Sequence, residues 1–123
     1  MDVAEAFAAA FNTRNPASVA ACLDPDATAR VEGAPFPEEK GRDAVRDTSI
    51  AYLLGDENPL SAITVGHPEA SVLLLDEQNR ADVAIRFEVG DGVVQSLVYY
   101  TMPHSPDVLT RVAEASGYPV APA

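Results

Sequence analysis

The chain has no tryptophan, one cysteine, two histidines and only eight basic residues among its 123. Each shortage excludes something. The lone Cys22 leaves no intrachain disulfide possible, so packing alone must hold the fold, and nothing points to an oxidising compartment. It lies in the apolar run of residues 19–23, which predicts a buried structural thiol rather than a reactive one. Eight basic residues against nineteen acidic ones give a formal charge of −11, with no basic cluster. A surface of that sign repels phosphate backbones and anionic lipid, which argues against nucleic-acid and membrane-surface partners. His67 and His104 each neighbour a proline and belong to no metal-ligand pattern, so no metal site is expected. No Gly-x-Ser-x-Gly elbow and no phosphate-binding glycine loop occurs, and no cofactor is expected. No apolar run approaches the roughly 20 residues that span a bilayer. The start, with Asp2 and Glu5, lacks the basic region of a signal peptide, so the expected location is cytoplasmic.

What is present is patterning. Apolar residues make up 47%, and the length suits a single domain over residues 1–123. The clearest signal is the stretch 80–102, two alternating strands joined by Gly90-Asp91-Gly92. Ala81, Val83, Ile85, Phe87 and Val89 alternate with Asp82, Arg86 and Glu88, which predicts a strand with one buried face. Asp91-Gly92 supplies the positive φ of a tight hairpin. The second strand is apolar on both faces: Val94, Val98, Tyr100 and Met102 on one, Val93, Leu97 and Tyr99 on the other. A strand buried twice needs a second cover, and a second copy of the chain is the expected one, giving a homodimer through the outer sheet face.

Earlier in the chain, Val3, Phe7, Ala10 and Phe11 predict a helix over residues 2–14. Asn15-Pro16 starts a second helix over 17–23, stopped by Asp24-Pro25. A short strand is expected at 28–32, a proline-containing loop at 33–40 and a third helix at 41–54. Strands follow at 62–66, 71–75, 81–89 and 93–102, and a last helix at 108–116 behind Ser105-Pro106-Asp107. Helices first and hairpin-connected strands last predict an α+β fold. Its antiparallel sheet must curl around the N-terminal helices into a cone with a pocket at the wider end, and the C-terminal helix is extra.

Four segments carry a family likeness: FNTRNPASV at 11–19, LDPDAT at 23–28, GRDAVR at 41–46 and GDGVVQSLVYY at 90–100. In that order and spacing the chain resembles the NTF2-like superfamily, in particular its SnoaL-like and ketosteroid-isomerase-like branch. The resemblance implies a cone-shaped (cystatin-like) curved sheet around helices, commonly dimeric through the convex face. It does not by itself imply an activity. A ketosteroid isomerase needs a carboxylate base, a tyrosine and a protonated acid. Aligned on Asp26-Ala27-Thr28, those positions fall on Val31, Phe7, and Ala84 or Ile85. None can do that work. The epoxide-hydrolase arrangement of the superfamily keeps only Asp76, which the sequence places at the start of a turn.

The expected cone lining, and candidate ligand-binding set, is therefore Phe7, Phe11, Val31, Tyr52, Ile85, Phe87, Leu97 and Tyr99. Tyr99 and His104 form the pair to consider if chemistry occurs, with Glu32 as a base only if a bulge turns it inward. The functional expectation is a small apolar or amphipathic ligand in the cone, without the isomerase set. The alternatives are a non-catalytic dimerisation module with a filled cone, and an isomerase, cyclase or hydrolase using a different constellation.

Overall fold

The structure, a computed structural model, describes residues 1–57 and 59–122. Helix α1 (Val3–Asn12) begins where Asp2 accepts the N–H of Glu5 at 2.8 Å, and it buries Phe7, Ala8 and Phe11. Asn15 caps α2 (Pro16–Ala20) in the same way, accepting from Ala17 at 2.9 Å. This helix ends earlier than expected, because β1 (Leu23–Val31) has already started at Leu23. Pro25 therefore stops no helix. It sits where the pairing of β1 with β6 (Val93–Thr101) changes register between Leu23 and Thr28, an irregularity that tolerates a missing N–H. A two-residue strand, β2 (Glu39–Lys40), forms inside the expected loop and pairs with Thr28 and Ala29.

The helix expected at 41–54 is interrupted. α3 (Arg42–Val45) passes into a π turn (Arg46–Ile50) and then α4 (Ala51–Leu53). A π turn holds one extra residue, which rotates everything beyond it relative to an α-helical reading. Tyr52, expected to line the cone, is consequently 85% exposed.

The sheet has six strands in the order β2-β1-β6-β5-β4-β3, with β3 (Ser61–His67), β4 (Ala70–Leu75) and β5 (Ala81–Gly90). β1 and β6 are parallel; the other neighbours are antiparallel. The β5–β6 turn places Asp91 at φ 54° and Gly92 at φ 77°, as the sequence predicts. Two bulges then alter the expected phase. Glu88 faces Ser96 and Val89 faces Val94, so Gln95 is an extra residue; Leu74 faces Val83 and Leu75 faces Ala81, so Asp82 is another. Each bulge flips what lies beyond it. Val94 joins the inner core rather than the outer stripe, Ala81 joins the outer one, and Val89 is left 52% exposed.

Two cores result, one on each face of the sheet. Inside, Phe7, Phe11, Val45 and Ile50 from the helices meet Val72, Ile85, Leu97 and Tyr99 from the sheet. Outside, α5 (Pro106–Ser116) lays Leu109, Val112 and Ala113 on Leu73, Ala84, Val98 and Tyr100. The helix ends at Gly117 with φ 83°, the left-handed cap that glycine allows. The following tail is then tied to β5: Ala81 donates to the Pro119 carbonyl at 2.7 Å, and Ala121 donates to the Ala81 carbonyl at 2.8 Å. Arg111 adds a two-pronged contact to Glu69 at 2.8 and 2.9 Å. The cover of the doubly apolar strand is thus α5 rather than a second copy: Val98 is 2% and Tyr100 5% exposed within one chain. The sequence expectation failed here because it treated the last helix as an addition instead of as that cover. Among the described residues no helix is long and apolar enough to cross a membrane.

Candidate functional site

Strand alternation on β6 turns Leu97, Tyr99 and Thr101 into the cone. Tyr99 lies between Val31 of β1 and Ile85 of β5 and is 2% exposed. Its hydroxyl is 2.8 Å from Oγ of Ser49, which the π turn presents to it. Ser49 is held from its other side too, its N–H donating to Oε1 of Glu39 on β2 at 3.2 Å. Two residues along from Tyr99, the hydroxyl of Thr101 is buried and has no partner among the described residues. One apolar cone therefore carries three hydroxyls from two elements, one of them unsatisfied. Burial pushes the Tyr99 phenol far above its ordinary pKa; the Ser49 hydrogen bond opposes this, and the Glu39 charge adds to it. Tyr99 is accordingly a neutral donor or acceptor, not a base.

Because β1 and β6 run parallel, they end at the same edge of the cone, and the turns beyond them meet. A Cβ on Gly33 would lie 2.3 Å from the His104 carbonyl oxygen, so only glycine fits there, and its φ of 80° requires the same residue. Phe36 stands edge-on to the His104 ring at 5.4 Å between centroids, and it is 59% exposed. His104 thus packs in the rim, and among the described residues Tyr99 Oη bonds Ser49 rather than His104.

The other sequence candidates separate. Phe7, Phe11, Ile85 and Leu97 come together with no exposure at all. A side chain at zero borders no water-sized space, open or enclosed, so the cone is filled around these four residues. Phe87 is only half-buried, its ring 4.9 Å from that of Phe7, and Val31 is also half-buried against the inner core. Glu32 does not turn inward; its carboxylate pairs with Arg30. Asp76 does start a turn, accepting the N–H groups of Gln78 and Arg80 at 2.9 Å and the Arg80 side chain at 2.8 Å. Burial opposes its charge, but those bonds outweigh it and hold the carboxyl below its ordinary pKa. Cys22 is half-buried, and burial pushes its thiol up. His67 accepts from the N–H of Glu69, and no group of three potential metal ligands occurs among the described residues.

Sequence reasoning missed Ser49 and Thr101. Ser49 could not have been found by periodicity, since the π turn sets its direction. Thr101 was readable from its odd position on β6.

No family model and no curated relative matches the sequence. Solved structures do match. An NTF2-like protein of unknown function from Cytophaga hutchinsonii superposes with a TM-score of 0.56 at 16% identity, covering 82% of this chain and 88% of that one. A polyketide-cyclase-like protein from Sinorhizobium meliloti gives 0.56 at 14%, covering 79% and 92%. A computationally designed 17-OHP binder gives 0.53 at 14%, covering 80% and 86%. At these identities the likeness concerns the fold, and the fold is NTF2-like.

Proposed function

We propose that this domain binds one small apolar or amphipathic molecule at the end of the cone where Tyr99, Ser49 and Thr101 place their hydroxyls. The observation that carries the reading is the buried Thr101 hydroxyl, without a partner among the described residues, two residues from Tyr99 on the same face of β6. A buried hydroxyl without a partner costs on the order of 1–3 kcal/mol, and a polar ligand atom would recover part of it. Apolar walls with a few convergent polar groups are the usual make-up of a small-molecule site. The designed 17-OHP binder and the polyketide-cyclase-like protein lend support by analogy of fold alone. Ketosteroid isomerisation is not part of the reading, because Phe7, Val31, and Ala84 or Ile85 stand where the resemblance requires acids and a tyrosine. Because the interior is filled, a ligand must displace side chains to enter. We place the domain in the cytoplasm.

A second reading has its own observation. Phe7, Phe11, Ile85 and Leu97 are wholly buried, which suits a filled, non-catalytic module. Titration with a planar steroid ketone separates the two, followed by tyrosine fluorescence, which no tryptophan obscures. The ligand reading expects saturable binding that Thr101→Val weakens while raising the melting temperature of the unliganded protein. A stabilised Thr101→Val variant with unchanged affinity removes the hydroxyl from the site, and absence of saturable binding to the wild type favours the filled module.

A further inference from the structure

β3 is an edge strand, and its two halves are treated differently. At Ala62 the edge is closed: the Asn12 carboxamide accepts that residue's N–H at 2.7 Å and donates to its carbonyl at 2.9 Å. Asn12 thereby imitates a neighbouring strand. Two residues on, alternation turns the backbone of Thr64 in the same outward direction, and Thr64 is exposed. Open edges of this kind accept an added strand.

Two clefts flank this second half, both bordered by residues 64–67. One, of about 320 Å³, lies between the edge and the end of α5, with Ile63, Val65 and Tyr118 in its wall. The other, of about 330 Å³, has Asp2 and Glu5 from the start of α1. Successive side chains of a strand point to opposite faces. A strand laid beside Thr64 would send alternate side chains into a mixed cleft, where Ile63, Val65 and Tyr118 offer apolar contact, and toward a pair of carboxylates.

We propose that this edge docks an extended peptide segment of alternating basic and apolar residues, added as a seventh strand beside Thr64–His67. Charge selects the partner. The chain carries −11, which attracts a cationic segment over long range and raises its rate of encounter. The same charge rejects a second copy, whose own Asp2 and Glu5 would meet these two. The register with β4 shifts between Thr64 and His67, and this bulge limits the added ladder to a few residues, so the contact is a weak one.

The test uses the whole chain and a fluorescein-labelled nonapeptide alternating lysine and valine. The comparator is a block peptide of the same composition with all lysines first. Anisotropy should show the alternating peptide bound at least about tenfold more tightly than the block peptide, with amide shifts at Thr64 to His67. Thr64→Pro, which removes an outward N–H but no ladder bond, should abolish that preference. Glu5→Gln, on the surface, should weaken binding by about two- to threefold and flatten its salt dependence. Equal binding of the two peptides, or a preference that survives Thr64→Pro, overturns the proposal.

Discussion

The Tyr99 hydroxyl lies 2.8 Å from Ser49 Oγ, joining the longest inward side chain of β6 to a π turn that only tertiary packing reveals. This bond ties the sheet to the helical layer. A double-mutant cycle of Tyr99→Phe and Ser49→Ala should give a coupling of about 1 kcal/mol, the usual net worth of one hydrogen bond. Additive single effects would mean that the two hydroxyls do not act as a pair.

Core substitutions should follow burial rather than residue type. Phe11 has no exposure, so Phe11→Ala should cost roughly 3–5 kcal/mol. Phe87 is half-buried, and Phe87→Ala should cost clearly less in the same denaturant melts. The opposite order would place Phe87 deeper than its strand position allows.

The outer face makes an assembly prediction. With α5 docked, Val98 and Tyr100 are covered, so light scattering should show no dimer through that face at tens of micromolar. Val98→Glu should therefore lower stability, by burying an unpaired charge, rather than dissociate an oligomer. A stable wild-type dimer that Val98→Glu splits without loss of melting temperature would restore the face as an interface.

Asp82 is a bulge residue, half-buried, and burial, with the Asp76 charge next, raises its carboxyl pKa. A raised folded pKa means that the folded state binds the proton more tightly than the unfolded chain. Asp82 ionisation therefore lowers stability above its folded pKa, and that penalty is relieved as pH falls toward its unfolded value near 3.9. Asp82→Asn should raise the melting temperature at pH 7 and lose most of that advantage near pH 4. Asp76 has the reverse sign: its stabilisation is present above its unfolded pKa and is lost on further acidification.

How much of this was legible in the sequence depends on where the chain departs from regular periods. The Asp91-Gly92 turn, the Asn15 cap and the inward phase of Ile85, Leu97 and Tyr99 all follow from local rules, and the structure contains them. Val94, Ala81 and Val89 were misplaced because bulges at Gln95 and Asp82 add one residue each, which no alternating pattern announces. Tyr52 was misplaced by the π turn for the same kind of reason. The role of α5 was missed at another level. The caps predict the helix, but nothing in them says that Leu109, Val112 and Ala113 match Val98 and Tyr100.

The central claim is that the hydroxyl end of the cone takes a ligand. It is tested most directly by titrating the labelled protein with a planar steroid ketone and following backbone amide shifts. The account predicts saturable shifts gathered at Ser49, Tyr99 and Thr101, with affinity reduced about fivefold by Tyr99→Phe, the equivalent of about 1 kcal/mol. Shifts confined to the outer clefts near Thr64–His67, or no saturable shift at all, would contradict it.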